Sequence, residues 1–290
     1  RSEVRQYRIF KEVAETGSFT KAAANLYITQ SAVSHAVRDL EERAGTVLFD
    51  RLSKSIRITE SGRLLLEEVT PILAACNALD SRIGSLEKKA PVHLVSSITI
   101  AAFYLPGILQ SFEASWPGLP VTVEVVPAAA AVEVLRCGKA DFALIEGAVP
   151  QGPFVCEAFD SYKMHILCAP GYLPVDKMLS MEEFCGERLL LREKGSAIRD
   201  TLDSTLYLAG YTAYPSWTSV NSTALIKAAE AGLGLTVLPD LLVGNELREE
   251  RLLTVQAEGL ELKNELLVIR HREKHMTAPL RSLLGLITLR

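Results

Sequence analysis

The sequence lacks the features that mark several classes of protein. Its five cysteines are scattered and never spaced as CxxC, which argues against a disulfide framework or a zinc site and favours reduced thiols. Its apolar runs are interrupted before the roughly 18 to 20 residues that a membrane span needs, and no basic start precedes an apolar segment. Its five histidines show no ligand spacing, and it has no glycine-rich phosphate loop. We therefore expect a cytoplasmic protein with no membrane partner and neither a metal nor a cofactor.

Length and charge indicate two domains with different partners. A chain of 290 residues is long enough for about two domains. The net charge is -4, but the first 60 residues carry ten Lys and Arg against eight Asp and Glu, whereas the remainder carries 21 against 27. This asymmetry places any contact with DNA phosphates in the N-terminal part.

The most informative stretch is residues 18–43, which predicts a helix-turn-helix. Apolar residues recur at helical spacing in two runs that are separated by only three residues. Ser18 and Thr29 stand just before the runs, and each is a predicted N-cap. The outer face of the second helix is small, polar and basic, as entry into the major groove requires; a plain helical hairpin is the alternative. The outer residues are Gln30, Ser31, Ser34, His35 and Arg38.

Residues 51–59 alternate in a way that predicts a small β-hairpin wing. Arg51 and Lys54 in this wing suit contact with phosphate beside a helix in the groove, and a solvated basic loop is the alternative.

A heptad seam follows the wing and predicts a long helix capped by Thr59. A lone helix cannot bury such a seam, so we expect a second chain to cover it. Pro71 lies inside the helix and predicts either a bend there or a start later than Thr59. The seam residues are Leu65, Val69, Ile72, Cys76, Leu79, Ile83 and Leu86.

From residue 91 the pattern changes to alternating strands and helices, which predicts an α/β domain of two halves with a cleft between them. Hydroxyl residues stand where predicted strands end and helices begin, around Ser97, Ser196 and Thr223. Hydroxyls and backbone N–H groups at helix starts bind small anions such as carboxylates, and plain N-capping is the alternative for each of them.

Two segments resemble LysR-type transcriptional regulators: SFTKAAANLYITQSAVSHAVRDLEERAGTVLFDR (residues 18–51) and IRITESGRLLL (residues 56–66). The resemblance implies an all-α winged helix-turn-helix over residues 1–58 and a long linker helix over residues 59–90 that dimerises. It also implies that the outer helix residues, Arg51 and Lys54 contact DNA. Many members have Arg where this chain has His35, and often Pro at Ser31, so the base preference is not carried over.

The C-terminal part resembles the effector domain of the same family, a two-lobed α/β fold like type 2 periplasmic binding proteins, over residues 91–290. The segments GKADFALIEG and AGLGLTVLP carry this likeness. We expect one lobe from residues 91–161 with 266–290 and the other from residues 162–265. The implied effector contacts are Ser97, Thr99, Ser196 and Thr223, with Ile145 and Val237 near the hinge.

Glu146 departs from the family pattern. An acidic residue just past the third strand of the domain favours a cationic or amino-bearing effector, and a surface carboxylate paired with a neighbour is the alternative.

Together these features predict a sequence-specific DNA-binding transcriptional regulator that is not an enzyme. We expect its effector to be a small carboxylate bound between the two lobes. The expected partners are double-stranded promoter DNA, the effector, a second copy through the linker helix and a homotetramer, with RNA polymerase a further candidate. The alternatives are an enzyme built on the second domain, since similar folds host small-acid enzymes, and a solute-binding protein.

Overall fold

The chain folds into two units, Arg1–Leu86 and Glu87–Arg290. The structure is a computed structural model that describes residues 3–52 and 55–289. Within those ranges, none of the helices combines the length and the apolar character needed to span a bilayer.

The first unit consists of three helices, a two-stranded hairpin and a long helix. Its apolar core joins all of these elements and includes Phe10, Val37 and Phe49. The two strands of the hairpin are antiparallel, with Phe49 opposite Ile58. In chain order the elements are α1 (Glu3–Thr16), α2 (Phe19–Asn25), α3 (Gln30–Ala44), β1 (Phe49–Leu52), β2 (Ser55–Ile58) and α4 (Glu60–Ile83).

Side-chain caps fix where the helices of the first unit begin. Ser18 Oγ accepts a hydrogen bond from Lys21 N (3.2 Å), and Thr29 Oγ1 accepts one from Ala32 N (3.2 Å). Each bond satisfies a backbone N–H that has no partner within the first helical turn. The two predicted N-caps are therefore confirmed, and only residues 26–29 connect α2 to α3.

The long helix α4 differs from its prediction at its end. It starts directly after Thr59, whose Oγ1 accepts from the backbone N–H of the third helical residue (3.0 Å), so a later start is wrong. The helix runs through Pro71, which is exposed, as is Glu67, whose carbonyl loses its helical donor there. It ends at Ile83, with Gly84 as its C-cap residue and turns after it, which leaves Leu86 of the predicted seam outside the helix.

Gly62 lies where α4 packs so closely against Leu48 and Ile58 that there is no room for a side chain. A Cβ at this position would lie 2.4 Å from Leu48 O and 2.6 Å from Ile58 Cγ1. We expect Gly62→Ala to destabilise the first unit by about 1–3 kcal/mol, because a backbone carbonyl cannot move aside as a flexible side chain can. Gly84→Ala is the matched control, since its Cβ would meet no atom within 4 Å. Urea unfolding measures the free energy of unfolding of both variants. An equal loss of stability in the two would contradict the packing argument.

The second unit is built on one ten-stranded mixed sheet. Its elements are β3 (Val92–Ser96), α5 (Ile98–Phe103), α6 (Leu105–Ser115), β4 (Val121–Val125), α7 (Ala128–Arg136), β5 (Phe142–Glu146), β6 (Phe154–Cys168), β7 (Met178–Leu179), α8 (Met181–Gly186), β8 (Leu189–Arg192), α9 (Ala197–Leu208), β9 (Trp217–Ser219), α10 (Ser222–Glu230), β10 (Leu235–Pro239), α11 (Asp240–Arg248), β11 (Leu253–Ala257), β12 (Leu262–His271) and α12 (Ala278–Thr288).

Two long strands join the two lobes of this unit. The main strand order is β4-β3-β5-β12-β6-β10-β8-β9, with β3, β4 and β5 parallel on one side and β8, β9 and β10 parallel on the other. The central pair, β6 and β12, is antiparallel and changes register between Leu266 and Leu267. Because each lobe is a parallel βα half, the carboxyl ends of its strands face the junction between the lobes, where a cleft is expected.

Candidate functional site

The outer face of α3 is available for contact. Gln30, Ser31, His35 and Arg38 are exposed and Ser34 is half-buried, whereas the opposite face of the helix is buried. The arrangement matches the amphipathic helix expected from the sequence. Lys54, the other residue expected at the DNA, lies outside the described residues.

Hydrogen bonds order several of these outer side chains. Gln30 Nε2 donates to Ser34 Oγ (3.4 Å), and the hydroxyls of Thr29 and Ser31 lie 3.0 Å apart. His35 Nδ1 lies 2.8 Å from Asp39 Oδ1. Since Asp39 binds Nδ1, Nε2 is the ring nitrogen of His35 that is left for an external partner.

Arg51 of the wing is positioned by α2. Its guanidinium carbon lies 5.2 Å from the centroid of the Phe19 ring, at the first residue of that helix. Stacking of this kind restrains an exposed arginine at modest energetic gain. No pattern in the sequence indicated that Phe19, a residue of the apolar core, would also orient the wing arginine.

Four of the predicted effector contacts come together between the lobes of the second unit. Ser97 and Thr99 at the start of α5, Glu146 at the end of β5 and Ser196 before α9 are all buried and line one small cavity of about 20 Å³. Arg192, at the end of β8, lines the same cavity. This cavity therefore joins polar groups from both lobes at the carboxyl ends of strands.

Glu146 is buried, with 5% of its surface exposed. Ser97 Oγ donates to its Oε1 (2.8 Å) and Tyr162 Oη donates to its Oε2 (3.3 Å). Burial raises the pKa of the Glu146 carboxyl, and these hydrogen bonds and the charge of Arg192 offset that shift only partly. The alternative of a surface carboxylate is wrong, because β5 is an interior strand of the sheet and places its last residue in the cleft.

Further polar residues, absent from the sequence prediction, extend this cluster across the junction. Asn264 Nδ2 donates to Tyr162 Oη (2.9 Å), and Thr201 Oγ1 donates to Asn264 Oδ1 (2.6 Å). Tyr162 lies on β6, Asn264 on β12 and Thr201 on α9, so hydrogen bonds connect Glu146 to the second lobe through both crossing strands. The sequence signal for Asn264 is the alternation of apolar and polar residues at the start of β12, which places Asn264 on the buried face of the strand.

The other three predicted contacts lie elsewhere. Thr223 is exposed on α10 and lines a neighbouring cavity of about 250 Å³, which shares Thr99 with the small one. Val237 is buried in β10 within the apolar core and lines none of the described cavities. Ile145 is buried in the apolar cluster between α7 and the sheet, and it borders a wider groove of about 530 Å³ between α7 and α9.

Replacing Glu146 with glutamine is expected to remove a pH dependence of stability. Because the pKa of this carboxyl is higher in the folded than in the unfolded protein, its stabilising contribution is complete below the unfolded value of about 4.3 and is lost as pH rises through the folded value. The melting temperature of the native protein should therefore fall relative to that of Glu146→Gln as the pH increases. A native protein that gains on the variant with rising pH would contradict this sign.

Comparisons with known proteins cover both units. Residues 4–63 match the family model described as bacterial regulatory helix-turn-helix protein, lysR family, and residues 87–289 match the model of the LysR substrate binding domain. YeiE of Escherichia coli (strain K12), described as an uncharacterized HTH-type transcriptional regulator, is 28% identical over 281 residues, or 97% of this chain and 95% of that protein.

Solved structures show the same fold over the full length. LysG from Corynebacterium glutamicum with bound effector Arg superposes with a TM-score of 0.68 at 19% identity, covering 98% of this chain and 96% of that one. CbnR in complex with its target DNA gives a TM-score of 0.59 at 20% identity, covering 99% and 98%.

Proposed function

This chain belongs to the LysR family of transcriptional regulators, and we propose that a small carboxylate bound between the lobes of its second unit controls its binding to promoter DNA. Members of this family bind promoter DNA and small-molecule effectors and are not enzymes, which excludes the enzyme interpretation. The observation that carries the carboxylate proposal is the small cavity, where Ser97, Thr99 and Ser196 are buried together with Arg192.

The start of α9 supports a carboxylate in particular. Ser196 is the N-cap residue of this twelve-residue helix, yet its hydroxyl makes no capping bond and is free to donate to a ligand. The helix dipole favours a negative charge at this end, and the buried guanidinium of Arg192, which also binds the carboxylate of Glu193, lines the same cavity. Such a ligand would shift the population between an open and a closed arrangement of the two lobes only if it binds the two arrangements with different affinities.

For the first unit, the proposal is that α3 reads the major groove and the wing contacts the backbone. The exposure of the outer face of α3 and the restrained guanidinium of Arg51 support it. We assign DNA contacts to Gln30, Ser31, Ser34, His35, Arg38 and Arg51, and also to Lys54. The exposed apolar residues of α4 support a homodimer; a homotetramer and contact with RNA polymerase complete the proposal.

A ligand screen tests the carboxylate. Melting of the full-length protein is measured with small carboxylic acids, amino acids among them, since a ligand at 100 times its Kd adds about 2.7 kcal/mol to the free energy of unfolding. Any acid that raises the melting temperature is then added to a mobility-shift assay on promoter DNA, and Ser196→Ala should weaken its effect. If no acid shifts the melting temperature, the carboxylate proposal fails, whereas the assignment of DNA binding to the first unit stands or falls with the mobility shift alone.

A further inference from the structure

Two buried side chains of opposite charge face the same cavity without pairing with each other. Glu146 has 5% and Arg192 has 4% of its surface exposed, and both line the small cavity between the lobes. Arg192 is bound by Glu193, with Nε at 2.8 Å and Nη2 at 3.0 Å from the two carboxylate oxygens, and its Nη1 donates to Ser222. Among the described residues, Glu146 has no cation within ion-pair distance and is bound only by uncharged donors.

An unpaired buried carboxylate is costly, because its charge is removed from water without a compensating cation. A protein resolves this cost by protonating the group or by supplying a cation. The raised pKa of Glu146 indicates that protonation is one solution in the protein alone. A ligand that brings a positive charge to the carboxylate would be the other, and the cation would take the place of the proton.

The wider groove leads to the same carboxylate. It has a volume of about 530 Å³, within the range of small-molecule sites, and is lined by α7, by the end of β5 and by α9. Glu146 shares it with Glu133 and Asp200, and none of its described lining residues is a lysine or an arginine. Hydroxyls of α9 and apolar side chains such as Val132 complete the wall. The groove is therefore electrostatically suited to the positive part of a ligand, whereas the small cavity also contains Arg192 together with its partner Glu193.

We propose that the effector carries an ammonium group beside its carboxylate, as an amino acid does, and that Glu146 binds this ammonium. The inference rests on the proposed function, because it adds a second group to the same ligand. The carboxylate lies at Ser196 and Arg192, the ammonium at Glu146, and the rest of the molecule extends into the groove between α7 and α9. Glu146 then determines which carboxylic acids bind, because an acid without the amine leaves the negative charge of Glu146 uncompensated.

Matched ligand triplets test this assignment on the full-length protein. Each common amino acid is compared by thermal shift and calorimetry with its deaminated acid and with its amide, which lack the ammonium and the carboxylate respectively. We expect one or more amino acids to raise the melting temperature and their deaminated acids to bind roughly tenfold more weakly or not at all.

Variants connect the ligand's ammonium to Glu146. Glu146→Gln keeps the size of the side chain and should remove the preference for the amino acid over its deaminated acid, whereas Glu146→Asp, which keeps the charge, should retain part of it. Glu113→Gln is the matched control, because it removes an exposed carboxylate of α6 that lines none of the described cavities.

The outcomes separate the two proposals. If deaminated acids bind as tightly as the amino acids, or if Glu146→Gln keeps the preference, the ammonium assignment is overturned while the carboxylate stands. If the amides bind as tightly as the amino acids, the carboxylate is overturned while the ammonium stands. The absence of any shift with the amino acids overturns the ammonium assignment.

Discussion

A protein that carries Leu79→Glu and Ile83→Glu together is expected not to form the proposed dimer and to bind a palindromic operator at least about 100-fold more weakly than the unchanged protein. Both residues lie in the C-terminal half of α4, where they are 53% and 51% exposed in the single chain. The N-terminal half differs, because Val69 of the same seam is buried within its own unit. The exposed half is the part that a second copy would cover.

The size of the effect follows from linkage between the two DNA-binding units. When one copy in a dimer has bound its half-site, the DNA-binding unit of the other copy meets the second half-site at a high effective concentration. A monomer loses that advantage. A carboxylate placed in an apolar helix seam loses water without gaining a partner, which opposes association.

The matched control is the double variant Ala74→Glu and Ser81→Glu. It adds the same two carboxylates to the same helix, but at heptad positions on the face opposite the seam. Light scattering gives the mass of each variant, and mobility shifts on a full palindrome and on a single half-site give the affinities. If the seam variant remains a dimer, or if the control dissociates as well, the dimer does not form through this face.

The first unit shows which features a sequence determines locally. The bond from Ser18 to Lys21 and the bond from Thr29 to Ala32 each span three residues, so the cap and the helix that it starts are read from the same short segment. The turn between α2 and α3 is so short that the two helices can only form a helix-turn-helix. The end of α4 was harder to predict, because the apolar period continues through Leu86 although the helix ends at Ile83.

The site between the lobes shows the opposite case. Ser97 and Ser196 could be selected because each marks a strand-to-helix junction in the sequence. Tyr162 and Asn264 are 102 positions apart and meet only because β6 and β12 pair in one register. The burial of Glu146 likewise depends on β5 being an interior strand, which is a property of strand order and not of any local pattern. Sequence reasoning therefore located the cleft but missed the hydrogen-bonded cluster inside it.

Removal of Gln30 and removal of Arg51 are expected to weaken DNA binding in different ways. Gln30 lies at the first turn of α3 and can pair with the edge of an adenine, so Gln30→Ala should cost about 1–3 kcal/mol at one base pair and relax the preference there. Arg51 contacts phosphate in our proposal, so Arg51→Ala should weaken binding to all sequences alike and reduce the slope of log affinity against log salt by about one.

Mobility shifts at several salt concentrations, on an operator and on its single-base variants, measure both quantities in one experiment. Arg63→Ala is the charge control, since it removes one exposed positive charge of the same unit that lies 3.0 Å from Glu60 and outside the proposed contact set. Arg51→Lys keeps the charge but loses the planar contact with Phe19, so it should retain the salt slope and still bind more weakly.

The comparison of slopes decides between a specific contact and a general effect of charge. A change in net charge acts at long range and would alter the slope for Arg63→Ala as much as for Arg51→Ala, whereas a phosphate contact changes it for Arg51→Ala alone. If Arg51→Ala alters the preference among bases, or if Gln30→Ala weakens all sequences equally, the two roles assigned to the helix and the wing are wrong. The orientation of the first unit on DNA would then have to place the wing, and not the start of α3, against the base edges.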